Sequence, residues 1–244
     1  MLRRSILLLA LAPAPALPAA LTITFAEQPV RLLRDTGFYV AGRGARLLNG
    51  DLLESAAASI QVDAGNASTV VIGPASRIYF KLDAKGPELI LLGGWLKIQA
   101  GAVPIRVSSG GLQFGAAHNS VILRASPGKT ELFVEEGEAV VDEAGKAPHP
   151  AHVTREHYAV RSAKLPLKIL PRAPQDFLGG MPPTFLDALV AVSVKGAAPA
   201  PKADRPATFA DVAPWLADEP ALRQVIQRRF NPPKPATRPG SPLY

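Results

Sequence analysis

The sequence predicts an all-β fold, a jelly-roll-like or β-solenoid-like stack of short antiparallel strands with a short helical C-terminal tail. Three observations carry this. Apolar residues alternate with period 2 through the middle of the chain, turn signals separate the alternating runs, and 15 of the 25 prolines fall after Ser162.

The alternation is direct. Ile78, Phe80 and Leu82 alternate with Tyr79, Lys81 and Asp83; Val103, Ile105 and Val107 with Pro104, Arg106 and Ser108; Thr130, Leu132 and Val134 with Glu131, Phe133 and Glu135. Such a pattern buries one face of a strand and wets the other. Asn49-Gly50-Asp51, Ala64-Gly65-Asn66, Lys85-Gly86-Pro87, Gly93-Gly94, Ser109-Gly110-Gly111, Pro127-Gly128-Lys129 and Glu136-Gly137 punctuate the runs, as expected for many short strands. Gly50, Gly94 and Gly137 are spaced by 44 and 43 residues. That spacing fits stacked turns, and equally the common use of glycine at strand starts.

The tail reads as helical in part. Thr184 can cap a helix over 185–192, and Thr208 with Asp211 has capping-box spacing ahead of Trp215. Asp218 can cap a second helix with Pro220 in its first turn. Leu222, Val225, Ile226 and Phe230 form one apolar stripe, with Arg223, Arg228 and Arg229 on the other positions. The stripe is expected to dock on the β domain, its basic face outward.

The N-terminus reads as a secretory signal peptide. Arg3 and Arg4 precede the apolar run Ile6–Leu11, and small residues offer cleavage near 16–20. The run is too short to span a bilayer, for which about 20 residues are needed. The chain has no cysteine, which excludes disulfides, thiolate metal sites, a lipid-anchoring cysteine and a cysteine nucleophile. The expected organisation is signal peptide 1–20, β domain 22–162, Pro/Ala-rich connector 163–207, helical tail 208–231 and disordered end 232–244. The expected location is the periplasm.

Net charge is +7, but residues 21–162 hold 14 basic and 14 acidic side chains, and the excess sits in leader and tail. A nucleic-acid-binding domain carries its own basic footprint, so nucleic acid is not an expected partner.

Gly44-Ala45-Arg46-Leu47-Leu48-Asn49-Gly50-Asp51-Leu52-Leu53-Glu54-Ser55, the element Ile72-Gly73-Pro74-Ala75-Ser76, the strand entry over 91–98 and the run Thr130-Glu131-Leu132-Phe133-Val134-Glu135-Glu136-Gly137-Glu138-Ala139-Val140-Val141 follow one another. In that order they resemble the landmarks of the FecR domain, over about residues 38–162. At Phe114-Gly115-Ala116 only the glycine of the family's Arg-Gly-Thr remains. The resemblance implies a stand-alone exported module for sensing, signalling contacts or scaffolding, and brings no catalytic set.

Other constellations give little chemistry. His149, His152 and His157 lack the spacing of ligands on one strand or helix, so neither metal nor cofactor is expected. No serine stands in a Gly-x-Ser-x-Gly context. Glu131, Glu135, Glu136 and Glu138 read as a solvated strand face that discourages edge pairing. Gly42-Arg43-Gly44 is a turn. Tyr79 and Trp95 could stand outward as ligand platforms, and with Trp215, Arg223, Arg228 and Arg229 they form the candidate contact residues. The expectation is a non-enzymatic binding or scaffold module meeting an envelope protein or cell-wall polymer. It would act by displaying sheet faces and a free sheet edge. The alternatives are a signalling regulator acting in trans with a membrane partner, and a cell-wall or polysaccharide hydrolase.

Overall fold

The computed structural model describes residues 21–144, 150–163, 165–194, 196 and 199–232. The expected signal peptide, His149 and nearly all of the expected disordered end lie outside the described residues.

The fold is all-β. Its strands are β1 (Leu21–Ala26), β2 (Val30–Arg34), β3 (Gly37–Ala41), β4 (Arg46–Leu47), β5 (Leu52–Glu54), β6 (Ile60–Asp63), β7 (Thr69–Ile72), β8 (Arg77–Asp83) and β9 (Gly86–Gln99). They continue as β10 (Ile105–Ser109), β11 (Leu112–Ala116), β12 (Ser120–Ser126), β13 (Lys129–Glu136), β14 (Glu138–Glu143), β15 (Ala151–Thr154), β16 (Tyr158–Ser162), β17 (Leu165–Leu170) and β18 (Lys202–Pro206). Helices α1 (Gln175–Gly180), α2 (Phe209–Val212) and α3 (Pro220–Phe230) belong to the tail.

All the strands join one curled sheet. It doubles over at β9, whose first half pairs with β8 and β10 and whose second half pairs with β7 and β12. One half-sheet runs β4-β1-β6-β7-β9-β12-β13-β16-β17. The other runs β18-β3-β2-β5-β8-β9-β10-β11-β14-β15. We call these the first and the second half-sheet. Pairings are antiparallel except β9 with β10, which is parallel. That pair departs from the all-antiparallel expectation because the chain crosses from one half-sheet to the other between its members.

Hairpins alternate between the halves, and the three spaced glycines sit where the chain crosses. Gly50 (φ +90°) lies between β4 and β5, Gly94 (φ +88°) inside β9, and Gly137 (φ +75°) between β13 and β14. Gly94 has a second constraint: a Cβ there would stand 2.2 Å from Ser76 Oγ. That hydroxyl accepts the Trp95 N–H at 2.8 Å and donates to the Pro74 carbonyl at 3.0 Å.

Period-2 alternation fills the space between the halves. Ile78, Phe80, Leu89 and Leu91 of one half-sheet share a buried core with Leu96, Ile98, Leu132 and Val134 of the other. Val103 does not belong to it: it precedes β10 and is exposed. The faces turned away from this core differ from expectation, because the tail covers much of both.

Residues 163–207, read as a connector, hold β17, α1 and β18. Phe177 and Phe185 from this span are fully buried on the first half-sheet's outer face. The helix expected over 185–192 is instead a 3-10 turn at Pro183–Phe185 followed by a segment without regular structure. Lys97 supplies the reason. Its ammonium, buried on β9, donates to the Phe185 carbonyl at 2.5 Å and to the Asp187 carbonyl at 3.3 Å, taking acceptors that a helix would use.

Candidate functional site

The outer face of the second half-sheet is best described by its register. One row crosses it as Arg205, Phe38, Leu33, Leu52, Tyr79, Ile90, Ser108, Gln113 and Asp142, each paired with the next. The apolar part, Phe38 to Ile90, forms a cluster with Val212, Leu216, Leu222 and Ile226 of the tail. An adjacent row reads Lys202, Val40, Arg31, Glu54 and Arg77.

Tyr79 is therefore not an open platform. It lies beneath α3, its hydroxyl accepting from Arg229 Nη2 at 2.9 Å. Arg229 also donates to the Gly50 carbonyl at 2.7 Å. Trp215 lies 6.3 Å from Phe38, with the Arg31 and Arg77 guanidiniums 5.5 and 5.1 Å from its ring. Arg223 reaches the Ala213 carbonyl at 3.0 Å and stacks on Phe209. Arg228 is exposed. Val225, counted in the apolar stripe, is exposed too. The docked face is narrower than the stripe because Leu222 and Ile226, one turn apart, carry it.

Trp95 stands on the other outer face, likewise covered. Its ring centroid is 5.1 Å from Phe177 and 6.3 Å from Phe185, with the Arg124 guanidinium stacked on it at 5.1 Å. The structure thus divides the candidate contact residues between opposite faces. Tyr79, Trp215 and Arg229 hold the tail on the second half-sheet, Arg223 braces α3 against Ala213 and Phe209 within the tail, and Trp95 holds the tail on the first half-sheet.

The glutamates divide: Glu136 and Glu138 are exposed as expected, whereas Glu131 and Glu135 are engaged with neighbouring side chains. Glu131 is buried and accepts from the Tyr158 hydroxyl at 2.5 Å and from Lys129 at 2.7 Å. Burial, then this carboxylate, push the Tyr158 phenol far up, so it stays protonated. Glu135 binds Lys97 and the Ser120 hydroxyl. Glu138 pairs with His152, and His157 Nδ1 lies 3.1 Å from the Thr154 hydroxyl. Among the described residues no group of three potential ligands could hold a metal. Glu131 and Phe133 looked solvent-facing because period 2 cannot say that another segment lies over the second face.

A cleft of about 420 Å³ opens where the row turns polar. It lies between the turn at Ser109–Gly111, the turn around Gly128 and the start of α3. Asp218 does not cap α3; Glu219 is the N-cap residue, and it makes no side-chain cap bond. Asp218 accepts the Gly128 N–H at 3.0 Å and Glu219 the Gly110 N–H at 2.7 Å. Burial raises the Glu219 carboxyl above its ordinary value, against the Gly110 bond that lowers it. The two carboxylates thus fasten the helix start to two hairpin tips. Ser108 and Gln113 went unnoticed in the sequence; their strand-pairing register alone places them here.

The landmark motif has a structural basis. Asp51, buried, accepts two bonds from Arg34 at 2.9 and 2.7 Å and one from the Leu48 N–H at 2.7 Å. The Ser55 hydroxyl donates to the Gly73 carbonyl at 2.6 Å and accepts the Ser76 N–H at 2.8 Å, locking the Pro74-Ala75-Ser76 element.

No family model and no curated protein match the chain. It is similar to two crystal structures of a candidate anti-sigma factor from Parabacteroides distasonis. Identity is 10% in both, with TM-scores of 0.44 and 0.43, over 52% of this chain and 62% of that one. The match thus spans less than two thirds of that protein.

Proposed function

We propose that the chain is an exported, non-enzymatic binding or scaffold module of FecR type in the bacterial periplasm, acting through protein or cell-wall contacts. The observation that carries this reading is a pair of highly exposed aliphatic side chains on the tail. Leu186 and Val190 are 73% and 72% exposed in a segment tied down by Gln61, which donates to the Val190 carbonyl at 2.8 Å. Large aliphatic side chains left exposed on an otherwise docked segment are available for a contact surface. The contact moves from the sheet faces, which the tail covers, to the tail itself. The edge strand β18 is a poor alternative, since Lys202, Arg205, Pro206 and an irregular register guard it. The engagement of Glu131, Glu135 and Glu138 with neighbouring side chains favours binding over hydrolysis.

A photo-crosslinking residue at 186 in the exported chain tests this. We expect one discrete adduct, lost in Val190→Asp, and an intact mass showing cleavage near residues 16–20. Diffuse labelling identical in both, or a retained leader, contradicts the reading.

A further inference from the structure

We propose that the margin of the first half-sheet's outer face, at Phe25 and Val190, docks a basic, apolar segment of a partner protein, with Phe25 as the anchor. The inference rests on the reading of Leu186 and Val190 as a contact surface and assigns the partner its chemistry.

β1 departs from simple alternation. Leu21 and Ile23 lie in the core between the half-sheets, and period 2 would send Phe25 after them. It goes elsewhere. Ile23 pairs with Val62 and Phe25 with Gln61, so Thr24 is an extra residue in the strand. This bulge shifts the phase: Ala26 packs on the core, and Phe25, 47% exposed, comes out on the opposite face. Bulges recur where a strand re-aims a side chain. A phenylalanine turned away from the core gives up burial that would stabilise the fold, and a contact with a partner restores it.

Phe25 has an apolar neighbour. Gln61 is directly across from it, between the core residues Ile60 and Val62, and so faces the same way. Its amide donates to the Val190 carbonyl at 2.8 Å. One glutamine side chain thus separates the exposed ring from the exposed Val190. The tail segment is fixed further along, by the hydroxyls of Ser59 and Thr184 at 2.8 Å and by Lys97 on the Phe185 and Asp187 carbonyls. A surface already held in place has less ordering to lose on binding.

Charge selects the occupant. Glu27 lies two residues beyond Phe25, Asp63 two residues along β6 from Gln61 and on its face, and Asp187 three residues before Val190; all three are exposed. None of them makes an ion pair with a described residue, and Asp63 accepts only the Gly65 N–H of its own turn. Lys97, beneath the segment, is engaged with Glu135. Arg46 is exposed on β4, opposite Thr22 and three residues from Phe25; with it counted, the rim is still acidic. An aromatic and an aliphatic side chain inside an acidic rim complement apolar side chains flanked by Lys or Arg. The same carboxylates repel an anionic lipid surface.

The test is titration of the full exported chain with two fluorescent amphipathic peptides of equal length, one of leucine and lysine, the other of leucine and glutamate, read by anisotropy. The chain is basic overall and its net charge favours the glutamate peptide, so preference for the lysine peptide reports the local rim. We expect the lysine peptide to bind more tightly by about tenfold. Phe25→Ser should weaken it by about tenfold with Tm little changed, and Glu27→Lys by about fivefold with a shallower salt dependence. Val140→Ser, at an exposed aliphatic on the second half-sheet, should leave it unchanged. Absence of binding, preference for the glutamate peptide, or parental affinity in Phe25→Ser or Glu27→Lys overturns the assignment. So does Phe25-dependent sedimentation with phosphatidylglycerol vesicles. Failure here leaves the adduct at residue 186 standing, and absence of that adduct with Phe25-dependent peptide binding intact removes the crosslinking reading alone.

Discussion

Glu219 shows how one side chain can tie an element down and yet carry a pH-dependent cost. It accepts the Gly110 N–H while burial raises its carboxyl above the ordinary value. A group whose folded pKa is raised favours the folded state most below its unfolded pKa, and that advantage is lost as pH rises through the folded value. Glu219 should therefore make the chain less stable between about pH 4 and neutrality. Glu219→Gln keeps an acceptor for Gly110 and removes the ionisation. Thermal unfolding across pH 4–8 should show a flatter profile for the variant, at least as stable as the parent at pH 7; a steeper fall than the parent's would refute the assignment. Arg205 lies at the opposite extreme. Its ion pair with Asp211 and the two Thr208 bonds hold the Asp211 carboxyl well below its ordinary value. That contribution is present at neutral pH and lost only in strong acid.

At the scale of the element, α3 has 11 residues, a length marginal in water on its own. Its stability comes from Leu222 and Ile226 against the row Leu33, Leu52, Tyr79 and Ile90, and from the Arg229 bonds to Gly50 and Tyr79. Ile226→Asp would place an unpaired charge there at a cost of several kcal/mol, about 3 or more, and should release the helix. Val225→Lys, one residue away but exposed, should change stability by less than about 0.5 kcal/mol. Limited proteolysis beyond Ser162 separates them: rapid tail cleavage is expected in Ile226→Asp only. Equal cleavage of all three proteins would mean the helix is not docked. The segment over 171–194 follows the same logic. Phe177 and Phe185 are its anchors against Trp95 and Tyr158, and Lys97 fixes its path.

At the scale of the whole molecule, the chain builds two half-sheets by alternating between them and then closes their outer faces with residues between 171 and 230. A chain ending at Leu170 would expose Trp95 and Tyr158 on one side and Phe38, Leu33 and Leu52 on the other. We expect that truncation to bind a dye for exposed apolar surface strongly and to associate at micromolar concentration. The parent should do neither. A monomeric, dye-silent product would show that the tail is dispensable for covering the sheet.

The all-β class, the inner face of β8 and of β13, the capping box at Thr208 and the helix around Ile226 were legible in the sequence. Each rests on periodicity or on contacts a few residues apart, which local composition reports. The three glycines were legible as a spacing and not as a meaning, since only the path of the chain shows that each stands at a crossing between half-sheets. What lies on the outer faces was decided by tertiary structure. Tyr79, Trp95 and Phe133 occupy the wet phase of an alternating pattern, yet tail residues up to 150 positions away cover them, and Glu131 is buried against Tyr158 of β16. Period 2 encodes two faces and nothing about what a later segment lays on the second. The polar cleft has the same origin. Ser108 and Gln113 are ordinary side chains on separate strands, and strand register, with the start of α3 beside them, makes them neighbours.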